Sequence, residues 1–497
     1  MQEKRYLTEV QAHDHTHGQN RFAVIPTPVR LDADEGCTGR GVTIALLDSG
    51  FYPHPDLTEP FNRIKAFKDI TGQAASLESV QVAESWQWHG TQTAVVAAGN
   101  GRLSDGVYRS LAPAAELVLV KVSDRGRISE EAIARGIEWV REHRDEYDIR
   151  VLSISLGGDQ DVPCSQNIVD RAAEEAIRQG IAVVAAAGND AQRTPVPPAN
   201  SPSVITVGGY DDCNQLEGTK FDLYHSSFGQ TADGHFKPEL IAPAIWVAAP
   251  ILPGTNLYST AENLSQLAQA PDYRLRSLAG KLSLEDKLPP TLFEEGPGAV
   301  RAAVESLLRE HKIVAAHYQH VDGTSFAAPI VASVIAQMIE ANNALTPASI
   351  KSILVSTATR LGGAPALRQG FGLVHARRAV EMARLERHDL KDAGSGPPRI
   401  MEGKLVFLFH DDGAENVSLA GDFNGWNPSE TPFVKEASGL WRAEIRAPQP
   451  GRYRYKFVVN GHRWTEDPGN RSKTPDEFGG LNSLLFIEAD SSASGAA

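Results

Sequence analysis

Three polar residues, far apart in a chain of 497, carry the groups that nucleophilic hydrolysis requires. Asp48 follows the apolar run 42–47 in Asp48-Ser49-Gly50, and His89 opens an Ala- and Val-rich helical stretch in His89-Gly90-Thr91. Ser325 lies in Gly323-Thr324-Ser325-Phe326-Ala327-Ala328-Pro329, just ahead of another helical stretch. A serine hydroxyl attacks a carbonyl only when a base takes its proton. An imidazole does that well only when a carboxylate fixes its tautomer and stabilises the cation that forms. Asp48, His89 and Ser325 fit the roles of orienting acid, base and nucleophile. Taken singly, each has an ordinary structural reading as a turn cap, a polar helix start or an N-cap. Three such segments in one domain, each with glycine beside it, make the joint chemical reading the stronger.

The elements that must position these residues are legible as short β-branched runs: 42–47, 117–122, 151–155, 181–187 and 204–207. Between them, Ser129 to Glu142, Asn167 to Gln179 and Ser325 to Ala341 have the length and spacing of helices. This alternation predicts an α/β domain, an open parallel sheet flanked by helices, with its site beyond the strands' carboxyl ends. Residues 253–318 break the rhythm with helical, Leu- and charge-rich sequence, and read as an insertion that covers a cleft or decorates the surface.

A polar, Gly/Pro-containing stretch at 389–401 reads as a linker, after which the apolar period becomes two. Residues 402–489 are therefore expected to form an antiparallel β-sandwich, leaving tails at 1–23 and 490–497 and a first domain at 24–388. In the sandwich, Trp426, Lys456, Trp464 and Asn482 suit a sugar platform, because aromatic faces cover the C–H face of a glucose ring while amine and amide groups bind its hydroxyls.

Composition narrows the partners. Lys and Arg number 48 against 62 Asp and Glu, a net charge of -14, so the basic excess needed for nucleic acid or an anionic membrane surface is missing. The longest mainly apolar stretch is taken as Leu240 to Leu252, too short to span a bilayer. A polar, His-rich amino terminus and three widely spaced cysteines, Cys37, Cys164 and Cys213, suggest a cytoplasmic, reducing setting.

Over residues 24–384 the sequence resembles the subtilisin-like serine peptidases. Asp48-Ser49-Gly50, His89-Gly90-Thr91 and Gly323 to Pro329 are similar to that family's aspartate, histidine and serine motifs, and Ala186-Ala187-Gly188-Asn189 to its oxyanion segment. The resemblance implies that Asn189 helps bind the oxyanion and that Ser155-Leu156-Gly157-Gly158 pairs with an extended peptide. It further implies that Ala187 and Gly188 wall the specificity pocket. Gln92 stands where many relatives carry a second histidine, and Phe326 where a methionine is common. Asp56 matches a position that ligates calcium in many members, so Ca2+ is a candidate ion there, although catalysis requires no cofactor. Residues 402–488 resemble the glycogen- and starch-binding modules of kinase β subunits and glucan-branching enzymes. That likeness implies α-glucan contacts from Trp426, Lys456, Trp464 and Asn482, with Phe478 where a stacking leucine lies and Gly480 replacing a hydroxyl-bearing residue. The expected whole is a cytoplasmic serine endopeptidase targeted to α-glucan. A catalytically silent glucan-binding scaffold is the alternative, and a glycosidase, needing a pair of carboxylates, is a further rival.

Overall fold

The computed structural model describes residues 23–487, apart from 73–75, 78–81, 125, 160, 217–220, 285–286, 387–397, 402–403, 412, 436–439, 450 and 471–472. Residues 1–22, most of the expected linker and the tail from 490 lie outside the described residues. The first domain is built on seven parallel strands: β1 (Thr43–Asp48), β2 (Ile64–Asp69), β3 (Glu116–Lys121), β4 (Ile149–Ile154), β5 (Ala182–Ala186), β6 (Ile205–Asp211) and β7 (Leu240–Pro243). Their order across the sheet is β7-β6-β5-β4-β1-β3-β2. A short antiparallel strand, Asp222–Leu223, pairs with β6.

Both faces of this sheet are covered, which is why its strands read as continuous apolar runs. Side chains of a strand alternate between faces. Ile44 and Leu46 pack with α1 (Trp88–Ala98) and α6 (Thr324–Ala341), while Ala45 and Leu47 pack with α2 (Glu130–Glu142) and α3 (Ile168–Arg178). Helix α6 is longer than Leu240 to Leu252, the apolar stretch singled out from sequence, and has a mean hydropathy of 1.4 over 18 residues. It is also 83% buried, as the core helix of the first domain.

The insertion follows β8 (Val247–Pro250) and includes α4 (Asn256–Gln269) and α5 (Pro297–Glu310) before β9 (Ile313–Ala315) and β10 (Tyr318–Val321). Leu264, Leu267, Leu275, Leu288, Val300 and Val304 form a core of its own. It is thus a helical subdomain seated on the hairpin β8–β10, whose last strand leads directly to Ser325.

The second module is a two-sheet antiparallel sandwich. One sheet holds β11 (Lys404–His410) and β13 (Leu440–Arg446); the other holds β12 (Val417–Gly421), β14 (Gly451–Val459) and β15 (Leu481–Ile487). Phe407, Trp441, Tyr455 and Phe457 fill the space between them.

Candidate active site

Asp48 ends β1 and is buried, whereas His89 is the second residue of α1 and keeps 21% of its side chain exposed. Their link is a 2.7 Å hydrogen bond between Asp48 Oδ1 and His89 Nδ1. Oδ1 also accepts the Ser49 N–H at 2.6 Å, and Oδ2 accepts the Thr93 hydroxyl at 3.0 Å. The carboxylate is therefore held in one plane, and with Nδ1–H donated to it the imidazole presents a bare Nε2. The close approach of α1 to the end of β1 depends on Gly90, where a Cβ would lie 2.2 Å from the Gly50 carbonyl oxygen. Burial alone would lower the pKa of His89, but the charge of Asp48 and its hydrogen bond outweigh it and raise the value above the ordinary imidazole.

Ser325 is the second residue of α6. Phe326, next in the chain, lies with its ring centroid 5.9 Å from that of His89, so this end of α6 faces the imidazole. Pro329 sits inside the helix and lacks the N–H that would bond the Ser325 carbonyl four residues back. The Ser155 hydroxyl supplies the missing donor at 2.8 Å. Ser155, expected from sequence to bind substrate, thus braces the backbone of Ser325.

Asn189 follows β5. Its Oδ1 accepts the Thr324 N–H at 3.0 Å and the Thr324 hydroxyl at 2.9 Å, which leaves Nδ2 as the outward donor. Gly188 in turn donates its N–H to Thr324 Oγ1 at 3.2 Å, and Ala187 donates to the Val207 carbonyl at 2.9 Å. A Cβ placed on Gly323 would lie 3.6 Å from Asn189 Nδ2 and 3.8 Å from the Ser325 nitrogen. Both nitrogens therefore lie within 4 Å of one point beside Gly323, where a side chain would stand against them. The φ of +138° at Gly323 reinforces the choice of glycine. Leu156 and Gly157 are partly open beyond β4, but the Gly158 N–H is already given to Pro197 at 2.7 Å, so that donor is not free for a peptide.

Asp56 does not fit a calcium site. It is fully buried, its Oδ2 accepts the Tyr318 hydroxyl at 2.7 Å and its Oδ1 accepts the Leu103 N–H at 3.1 Å. The Arg63 guanidinium donates to the Asp56 carbonyl. Calcium needs six to eight oxygen ligands, whereas proton donors surround this carboxylate. Among the described residues no three His, Cys, Asp or Glu stand together as a metal-binding group.

In the sandwich, Trp426, Lys456, Trp464, Phe478 and Asn482 line one cleft, together with Arg454 and Asp476. The two indoles lie 6.4 Å apart at 29°, and neither belongs to the sandwich core. Trp464 is 41% exposed and Phe478 94%, far more than stability requires of such side chains. Lys456 is paired with Asp476, which also accepts the backbone N–H groups of Phe478 and Gly480. A side chain on Gly480 would come within 2.8 Å of that carboxylate, so the residue that departs from the expected pattern lets Asp476 hold Lys456.

Thr93 escaped the sequence reading, and Thr324 was read there only as part of the serine motif, with no role of its own. Thr93 is one turn from His89, and a hydroxyl at such a spacing is the signal available. Comparison with known proteins gives the family. Residues 39–373 match the subtilase family, and residues 395–474 match carbohydrate-binding module 48, described as the isoamylase N-terminal domain. Serine protease AprX of Bacillus subtilis is 32% identical over 353 residues, covering 69% of this chain and 67% of that one. Subtilisin BL of Lederbergia lenta is 28% identical over 351 residues, covering 70% and 93%. Among solved structures, fervidolysin of Fervidobacterium pennivorans is similar with a TM-score of 0.49 and 18% identity, over 86% of this chain and 54% of that one. The chain belongs to the subtilase family, and it is a subtilisin-like serine endopeptidase that carries a carbohydrate-binding module.

Proposed function

We propose that Ser325 is the nucleophile of this peptidase, His89 its general base and Asp48 the group that orients His89. The observation that carries the assignment is the 2.7 Å Asp48–His89 bond on one side of Ser325, with Asn189 Nδ2 and the Ser325 nitrogen both within 4 Å of one point beside Gly323. His89 Nε2 takes the Ser325 proton as Oγ attacks the peptide carbonyl. The oxyanion that forms is held by Asn189 Nδ2 and the Ser325 N–H. His89 then protonates the departing amine, and water, activated by the same imidazole, hydrolyses the acyl-enzyme. Leu156 and Gly157 bind the peptide main chain, and Ala187 and Gly188 wall the pocket beside it. The steps use protein groups and water alone.

The module's partner is an α-glucan: paired indoles, Trp464 exposed and Trp426 half-buried, and a polar edge from Lys456 and Asn482 support that class of ligand. Binding there concentrates the peptidase on proteins associated with a glycogen-like polymer, without a new contact at the catalytic centre. Three cysteines at wide spacings, Cys37, Cys164 and Cys213, suit a reducing compartment, and we place the protein in the cytoplasm. A fluorophosphonate probe tests the first part: labelling of the full chain, lost in Ser325→Ala, is expected. Failure to label the intact protein would favour the silent scaffold. Co-sedimentation with glycogen, lost in Trp426→Ala and Trp464→Ala, tests the second part, and retention of binding by both variants would reject the glucan assignment.

A further inference from the structure

Trp88 immediately precedes the catalytic histidine and opens α1. Every residue of that helix from Gly90 to Ala98 is buried, yet the Trp88 side chain is 47% exposed. Its indole meets the His89 ring edge-to-face, with centroids 5.2 Å apart and planes at 88°. Neighbours on both sides fix its place. Gln87 is buried and donates to the Phe51 carbonyl at 2.9 Å, while the Thr91 hydroxyl donates to the Gln87 carbonyl at 2.7 Å. The backbone that carries the indole is therefore rigid, and nothing about folding the helix calls for a large apolar side chain held half in water.

From this geometry we infer that Trp88 is a specificity-determining residue, whose exposed indole binds a large aliphatic or aromatic side chain on the substrate residue that follows the scissile bond. The inference rests on the peptidase reading above. Proton transfer requires the leaving nitrogen to come within hydrogen-bond reach, about 3 Å, of His89 Nε2. The acyl half of the substrate is held instead at Asn189, Leu156 and Gly157. With its centroid 5.2 Å from that of the imidazole, the indole borders the very group that must reach the leaving nitrogen. A side chain seated there loses water on one face, and the indole loses it on the other. Contacts of this kind discriminate between large and small apolar side chains by about 10–200-fold.

The test uses the full chain and internally quenched peptides in which only the residue after the cleaved bond varies, among Ala, Leu and Phe. Wild type is expected to prefer Phe and Leu over Ala in kcat/KM. Trp88→Ala is expected to shrink that preference about tenfold, mainly through KM, and Trp88→Phe to restore most of it. An equal loss on all three peptides would overturn the proposal, because it would mean that the indole only supports His89. An unchanged preference would overturn it too. Wild type that cleaves none of the peptides and takes no fluorophosphonate label would reject the peptidase reading itself, a result distinct from all of these.

Discussion

With His89 as the proposed base, its bond to Asp48 sets the pH range in which Ser325 is activated. The imidazole works as a base only when neutral, and its pKa is raised above the ordinary 6.5 despite a desolvation that acts in the opposite direction. The acid limb of kcat/KM is therefore expected above pH 6.5, with activity gained as pH rises through it. Asp48→Asn removes both the charge and the correct tautomer. It is expected to lower kcat by about 10⁴-fold and to move the acid limb downward. A pH–rate profile of the variant with an unmoved limb would show that the limb belongs to another group. Asp170 gives a second pH effect, on stability. It is fully buried with neither carboxylate oxygen bonded, and burial, followed by the nearby charges of Asp233 and Glu174, pushes its pKa up to about 8. The folded state thus holds this proton more tightly than the unfolded chain does. Its contribution is complete below the ordinary carboxylate value and is lost as pH rises toward about 8. Asp170→Asn is expected to flatten that loss, so that its denaturation midpoint exceeds that of wild type at pH 9 by more than at pH 5. Equal differences at the two pH values would refute the assignment.

At the level of elements, the turn from β10 into α6 explains why the serine motif ends in proline. Without an N–H at Pro329, the Ser325 carbonyl is released from the helix and becomes available to Ser155. Ser155→Ala leaves that carbonyl without its donor, at a cost of about 1–3 kcal/mol in stability if water cannot replace it. The same variant is expected to lower kcat more than it raises KM, because the helix start that carries Oγ loses its brace. Thermal unfolding alongside steady-state kinetics checks both, and a variant with wild-type kcat would show that Ser155 is not needed to place Ser325. The sequence made the motif visible but not this bond, since the two serines are 170 positions apart. The same limit separates what was legible in the sheet from what was not. Buried strands such as β1 and β4 announce themselves as apolar runs. Strand β2 lies at the sheet edge, is only half-buried and interleaves Lys65 and Lys68, so it carries no such signal. In the sandwich the five long strands were legible from their period of two, whereas Arg463–Thr465 and Lys473–Pro475 are too short to show a period. Trp88 was passed over for a related reason: only the folded chain shows that a residue beside His89 is left exposed.

At the scale of the whole molecule, the sandwich is joined to the peptidase domain by specific contacts. Arg360 pairs with Glu466, the Ala366 N–H reaches the Gly479 carbonyl at 3.4 Å, and Lys473 lies 5.4 Å over the Phe371 ring. Gly479 adjoins Phe478, which lines the cleft of Trp426 and Trp464, so the loop that lines this cleft is also the loop that touches the peptidase domain. The Arg360–Glu466 pair is asymmetric, with side-chain exposures of 34% and 1%. Removing the arginine strands a buried carboxylate, which costs about 3–5 kcal/mol when no solvent reaches it. Removing the glutamate's charge leaves an arginine that water can already reach, while the buried Lys473, its pKa already pushed down to about 8 by desolvation, keeps Asp467 as its compensating charge. Arg360→Met is therefore expected to lower the unfolding temperature of the module clearly more than Glu466→Gln. Scanning calorimetry of the full chain reads the difference. Equal shifts would mean that the interface hydrates both partners alike, and a larger shift for Glu466→Gln would mean that the carboxylate's other contacts, not Arg360, hold the module in place. If the ranking holds, glucan bound at Trp426 and Trp464 lies on a module anchored to the peptidase through a buried charge, and the catalytic cleft is carried to the polymer at a fixed position instead of on a free tether.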